Sequence, residues 1–166
     1  VAPSYLYGTL HSTEAGARGL PAPALERLAD ARILLVELSP MEQRRLARRL
    51  STDPGFATSE TGPRLSERLG PRQLDVAEGV LARRGMPLSA ADRMEPWLLV
   101  SMIAVPQCER EMIAAGHPVL DDVIVERARE IGVPVDGLET YEETFAAFDA
   151  LSEAEMTSLL VDGFAA

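Results

Sequence analysis

Apolar and polar positions follow two different rhythms along this chain. Tyr5-Leu-Tyr-Gly-Thr-Leu-His11 is apolar and β-prone, and the polar run Ser12 to Gly16 follows it, so the spacing predicts a strand and then a loop. Pro21 and Pro23 open a helix expected over 22–31, with Leu25 and Leu28 on one face. Ile33-Leu-Leu-Val-Glu37 is a short continuous apolar run, the kind that suits a strand covered on both faces. Ser39-Pro40 closes it, and a helix from Met41 to about Leu50 comes next. Strand, helix, strand is the βαβ opening of a parallel sheet, with a right-handed crossover.

From Ser51 to Gly116 the pattern is helical throughout, punctuated by Gly62-Pro63 and Gly70-Pro71. Leu74, Ala77, Val80 and Leu81 recur at helical spacing within 72–84, and Ser89 is a candidate cap with Asp92 three residues on. Trp97, Leu98, Val100 and Met102 lead towards Pro106, and another helix is expected over 107–115. This stretch, about 51–116, reads as a helical insertion over the sheet. The last third returns to alternation: a helix over 119–131 ended by Gly132, a short strand near Val135 to Glu139, then two helices opened by the boxes Thr140-x-x-Glu143 and Ser152-x-x-Glu155. The expected fold is therefore α/β, a mostly parallel sheet with a helical insertion, as one domain over 1–166.

Composition narrows the function. The net charge is −10 and every one of the 16 basic residues is arginine, which disfavours non-specific nucleic-acid binding. The charge is uneven: residues 1–83 carry eleven arginines against ten acids, and residues 84–166 carry five against sixteen. A solvated acidic surface explains this, and a partner-facing acidic surface is the alternative. A single cysteine, Cys108, excludes an internal disulfide. The longest apolar stretch, Trp97 to Val105, is too short to span a bilayer. Phosphate-loop, dinucleotide, nucleophile-elbow and HExxH patterns are all absent.

The candidate chemistry lies at the ends of the expected strands. His11, Glu37 and Glu139 each stand where a strand stops, and in open α/β sheets ligands bind outside the carboxyl ends of the strands. A neutral imidazole at His11 can ligate a metal or act as a base. Glu37 follows a wholly apolar run, where a carboxylate needs a cation, a partner or a proton. Each also has a plain structural reading: a structural histidine, an arginine salt bridge for Glu37, and helix capping beside Thr140 for Glu139. Asp121-Asp122 opens a helix, where the dipole alone accounts for acids. Arg44, Arg45, Arg48 and Arg49 share one helix face, read as solvated, with an anionic partner as the alternative.

Leu6-Tyr-Gly-Thr-Leu-His11, Leu34-Leu-Val-Glu37-Leu and Gly132-Val-Pro-Val-Asp-Gly-Leu-Glu139-Thr together resemble the TraB/PrgY/GumN family, whose animal relatives are the TIKI proteins. Pro96-Trp97, the helix after Leu120-Asp121, and the segments Glu142 to Phe148 and Leu151 to Glu155 agree in order. The resemblance implies a fold similar to erythromycin esterase and the haem-binding ChaN proteins. It implies a metal-dependent hydrolase acting on a peptide or small molecule, and the TIKI members point to a peptidase. Gly8-Thr9-Leu10-His11 matches the first of two GxxH motifs, and Glu37 and Glu139 match the glutamate positions. The implied ligands of a divalent cation (Mn, Co or Zn) are His11, Glu37 and Glu139, with Glu37 or Glu139 as the catalytic base. The second GxxH has no counterpart, since His117 follows Gly116 directly, so the sheet is expected to be truncated at the C-terminus. Family members are often exported, periplasmic or membrane-associated. Two alternatives remain open: a non-catalytic peptide- or haem-binding module, and a metal-free esterase-like hydrolase with His11 as base. An open sheet edge would suit a homodimer.

Overall fold

The computed structural model describes residues Pro3–Ala165. In chain order the elements are α1 (Ala22–Ala29), β1 (Leu34–Leu38), α2 (Pro40–Thr52), α3 (Pro54–Ala57), α4 (Leu65–Arg68), α5 (Pro71–Arg83), α6 (Leu88–Ala91), α7 (Pro96–Ala104), α8 (Gln107–Ala114), α9 (Leu120–Glu130), β2 (Val135–Glu139), α10 (Tyr141–Asp149) and α11 (Glu153–Ala165). The chain divides into two compact units, one built from residues 1–43 and 107–140, the other from 44–106 and 141–166.

The first unit is α/β. β1 and β2 pair in parallel, with Leu34 beside Val135, Val36 beside Gly137 and Leu38 beside Glu139. Both strands alternate in exposure, so Leu34, Val36, Leu38, Val135, Gly137 and Glu139 share the half-buried face. A small apolar core (Leu28, Leu120, Ile124, Ala128 and Val133) packs with Leu34 and Val135 and joins α1 and α9 to the sheet. α9 ends because Gly132 takes φ +78°, which an L side chain resists. Gly132 N donates to Arg129 O and Val133 N to Ala128 O, a Schellman closure that turns the chain straight into β2. The eleven residues of α9 and the five of β2 are each about 16 Å long.

The strand expected over Tyr5 to His11 does not form; residues 3–14 run without helix or strand. Side chains hold this segment in place of a ladder. Arg27 lies over the Tyr5 ring at 5.1 Å, and the polar residues that follow bind to α8 and α9. Consequently Tyr5, Leu6 and Leu10 stay exposed. The expected βαβ opening is replaced by one in which the two paired strands are β1 and β2, separated by most of the chain.

The second unit is helical. Leu65, Leu69, Ala77, Leu81, Leu99, Ile103, Leu160 and Phe164 form its core, drawn from α4, α5, α7 and α11. Arg84 donates to the carbonyls of Met102 and Ile103 at 2.6 and 2.9 Å, closing the end of α7. Phe56, Trp97, Tyr141 and Phe145 make a separate aromatic cluster, with Trp97 and Phe145 centroids 4.1 Å apart. The arginine-rich face of α2 is engaged there: Arg49 lies over Phe56 and pairs with Asp53, and Arg45 lies over Tyr141 and pairs with Glu142. The box at Ser152 forms, Glu155 N donating to Ser152 Oγ and Ser152 N to Glu155 Oε2. Ser89 lies inside α6 and does not cap it, and Asp92 instead accepts from Ser66 N at 2.9 Å. No helix among the described residues is long and apolar enough to cross a membrane.

Candidate functional site

The site of interest is in the α/β unit and starts from the end of β1. Ser39 is buried and its Oγ accepts from Glu42 N at 3.3 Å, so β1 passes directly into α2 with Pro40 at the first helical position. β2 comes very close to this turn. A Cβ placed on Gly137 would lie 3.0 Å from Ser39 N and 3.1 Å from Glu139 O, so this position takes glycine for reasons of space.

The register decides where the two glutamates point. Glu139 pairs with Leu38 and sits on the half-buried face. Glu37 is one residue out of phase with it and points, with Leu35 and Leu138, off the exposed face. A period of two makes that separation unavoidable once Leu38 is opposite Glu139. Among the described residues no three His, Cys, Asp or Glu side chains stand close enough to hold one ion together. His11, Glu37 and Glu139 therefore do not converge as a single donor set within this chain.

His11 is at the centre of a different arrangement. It belongs to no strand, and Ser12 N donates to Leu10 O at 2.7 Å, a tight turn with His11 at its middle. Its Nδ1 lies 3.0 Å from Asp121 Oδ2. Thr9 Oγ1 donates to Asp121 Oδ1 at 2.8 Å and orients the carboxylate. Oδ2 is sealed from water, with the imidazole as its near neighbour. The imidazole is 72% exposed and the aspartate 29%, so the histidine has its far side in solvent and its near side on a fixed acid. A carboxylate beside Nδ1 favours the tautomer with the proton on that nitrogen, which leaves the lone pair on Nε2.

Asp121 was legible in the sequence only as a helix-opening acid. The signal that could have found it is its place one residue inside α9, on the helix that turns directly into β2. The same N-terminal segment has a second acidic contact, Glu109 of α8. Ser12 Oγ donates to Glu109 Oε1 at 2.7 Å, and Thr13 N and Oγ1 donate to Oε2 at 2.7 and 2.6 Å. The hydroxyl of Thr13, then that of Ser12, then the Thr13 N–H hold the Glu109 carboxyl below the usual carboxylate range. Cys108, beside it, is exposed.

No curated protein and no solved structure matches the chain. One family does match, over nearly every residue: on residues 1–165, the chain belongs to the TraB/PrgY/gumN family.

Proposed function

We propose that this chain carries the histidine-bearing part of a hydrolase site, with His11 as the group that meets the reacting centre. The observation behind this reading is the His11–Asp121 pair, 3.0 Å apart at Nδ1, with the imidazole itself 72% exposed. A fixed acid on one nitrogen and an open lone pair on the other suit a general base that takes a proton from attacking water. Asp121 then stabilises the imidazolium that results, and Thr9 keeps the carboxylate aimed. The substrate class is a peptide or small ester, carried by the family's resemblance to hydrolases.

The same geometry also suits a nitrogen ligand of a divalent cation, because ligating histidines commonly give their second ring N–H to a carboxylate. When bound, such a cation would supply Lewis-acid polarisation of a carbonyl. His11 is the donor in this chain that fits it. Glu37 and Glu139, on opposite faces of the sheet, do not join His11 in one set, so the proton-transfer role is the one the residues support best.

The test is hydrolysis of a peptide library and of small aryl esters, with and without Mn²⁺, Co²⁺ or Zn²⁺ and with chelator. His11→Ala should lower turnover at least about 100-fold and Asp121→Asn about 10-fold or more. Activity that survives chelator and is lost in His11→Ala supports the base. Chelator-sensitive activity, with metal affinity lost in His11→Ala, moves His11 to the ligand role. Activity unchanged in His11→Ala refutes both.

A further inference from the structure

Two acids, from two consecutive helices, hold the segment that carries the histidine. Asp121 of α9 holds Thr9 and faces His11, and Glu109 of α8 holds Ser12 and Thr13. We propose that Glu109 is a positioning residue for His11, acting through the two residues that follow it. This inference takes His11 as the reacting group, as argued above.

Residues 9–13 lie in no helix or strand, and within them the single backbone hydrogen bond is Ser12 N to Leu10 O. A three-residue turn leaves its central residue's direction to whatever fixes its flanks. The flank before His11 is fixed at Thr9, and the flank after it at Ser12 and Thr13. These two residues are nearly inaccessible to water, unlike His11 itself, so the segment passes from a buried anchor to an exposed imidazole within one residue.

Chemistry makes the anchor a strong one. Both carboxylate oxygens of Glu109 are used, Oε1 by the Ser12 hydroxyl and Oε2 by the Thr13 hydroxyl and amide. Charge-assisted hydrogen bonds of this kind are the short, strong members of their class. Ser12 Oγ also accepts from Glu14 N at 3.1 Å, which fixes the direction of its own proton towards Glu109. Glu109 reaches no reacting atom. Its effect on His11 is to fix the φ and ψ angles on the C-terminal side of the turn, and so the distance from Nδ1 to Asp121.

Imidazole NMR tests this. The chain has two histidines, His11 and His117, and His117 lies in the exposed turn after α8 and serves as the internal reference. Three changes are compared: Glu109→Ala, isosteric Glu109→Gln, and Ser12→Ala with Thr13→Val, which keeps the acid and removes both hydroxyl donors. Circular dichroism establishes that each is folded. The expected result is that His11 ring resonances move towards their positions in Asp121→Asn, by most of that difference in Glu109→Ala and in the double variant. His117 resonances should stay in place. Hydrolytic kcat should fall about 10-fold with KM unchanged. Unmoved His11 resonances in the folded variants overturn the proposal and leave Glu109 as an anchor of the segment alone. If Glu109→Ala does not fold, Glu109→Gln and the double variant decide by the same comparison. A hydrolysis assay indifferent to His11→Ala sinks the functional reading, whereas the resonance shifts still decide the positioning role.

Discussion

Gly137→Ala perturbs the place where β2 passes the end of β1. The added methyl would stand 3.0 Å from Ser39 N, 3.1 Å from Glu139 O and 3.4 Å from Ser39 Cβ. Ordinary contact begins near 3.5 Å, so the neighbours must give by a few tenths of an ångström. Two of the three are backbone atoms, and Ser39 is buried and caps α2, so neither can swing aside. Crowding of this sort costs about 1–3 kcal/mol. Alanine regains about 0.5–1 kcal/mol by narrowing the unfolded chain. The expected balance is a loss of about 1–2 kcal/mol. With a urea slope of about 2 kcal/mol/M, the unfolding midpoint drops by roughly 0.5–1 M. Hydrogen exchange should show the loss at the β1 and β2 amides. Gly163→Ala crowds a side chain instead of backbone: its methyl would meet Ile103 Cδ1 at 2.7 Å and Cγ1 at 3.1 Å, a buried side chain of the helical core, while α11 gains helix propensity. It should cost about 1–2 kcal/mol as well, with the loss of exchange protection in α11 and α7 instead of at the β1 and β2 amides. A Gly137→Ala protein as stable as wild type would refute the claim that backbone contact holds glycine at this position.

Leu160→Ala empties a fully buried position in the helical unit and should cost about 3 kcal/mol in urea unfolding. Leu138→Ser, at a leucine 70% exposed, should change stability by less than about 0.5 kcal/mol in the same assay. Ser152→Ala removes the cap on α11 and should cost about 1 kcal/mol, read as a thermal midpoint shift. Glu109 has a folded pKa held below its ordinary 4.5, so it stabilises above that value and the contribution is lost as pH falls through the folded pKa. Unfolding midpoints measured between pH 3 and 7 should therefore fall less steeply with acid in Glu109→Gln than in wild type.

The helices were legible because their apolar spacing is local. α1, α2, α5, α8 and α9 fall within about two residues of the periods and punctuation that predict them. β2 falls at Val135–Glu139, and β1 one residue along from the apolar run that marks it. The failure at Tyr5 to His11 has a physical cause: a β-prone run becomes a strand only if an edge accepts its amides, and here side chains bind the segment first. The candidate site was half legible. His11 could be chosen as the residue able to move a proton near neutral pH. Glu37 and Glu139 could be chosen as strand-end acids, but not assigned to faces, because a face is set by register.

Helical periods, the parallel α/β class and the family could be read without a structure, since each depends on residues near one another in the chain or on motif order. Tertiary structure alone decided that Leu38 lies opposite Glu139 and sends Glu37 to the other face, and that Asp121 and Glu109, about a hundred residues from His11, hold its segment. Pairing between distant residues is paid for by loop closure and settled by packing, and neither leaves a periodic trace in the sequence.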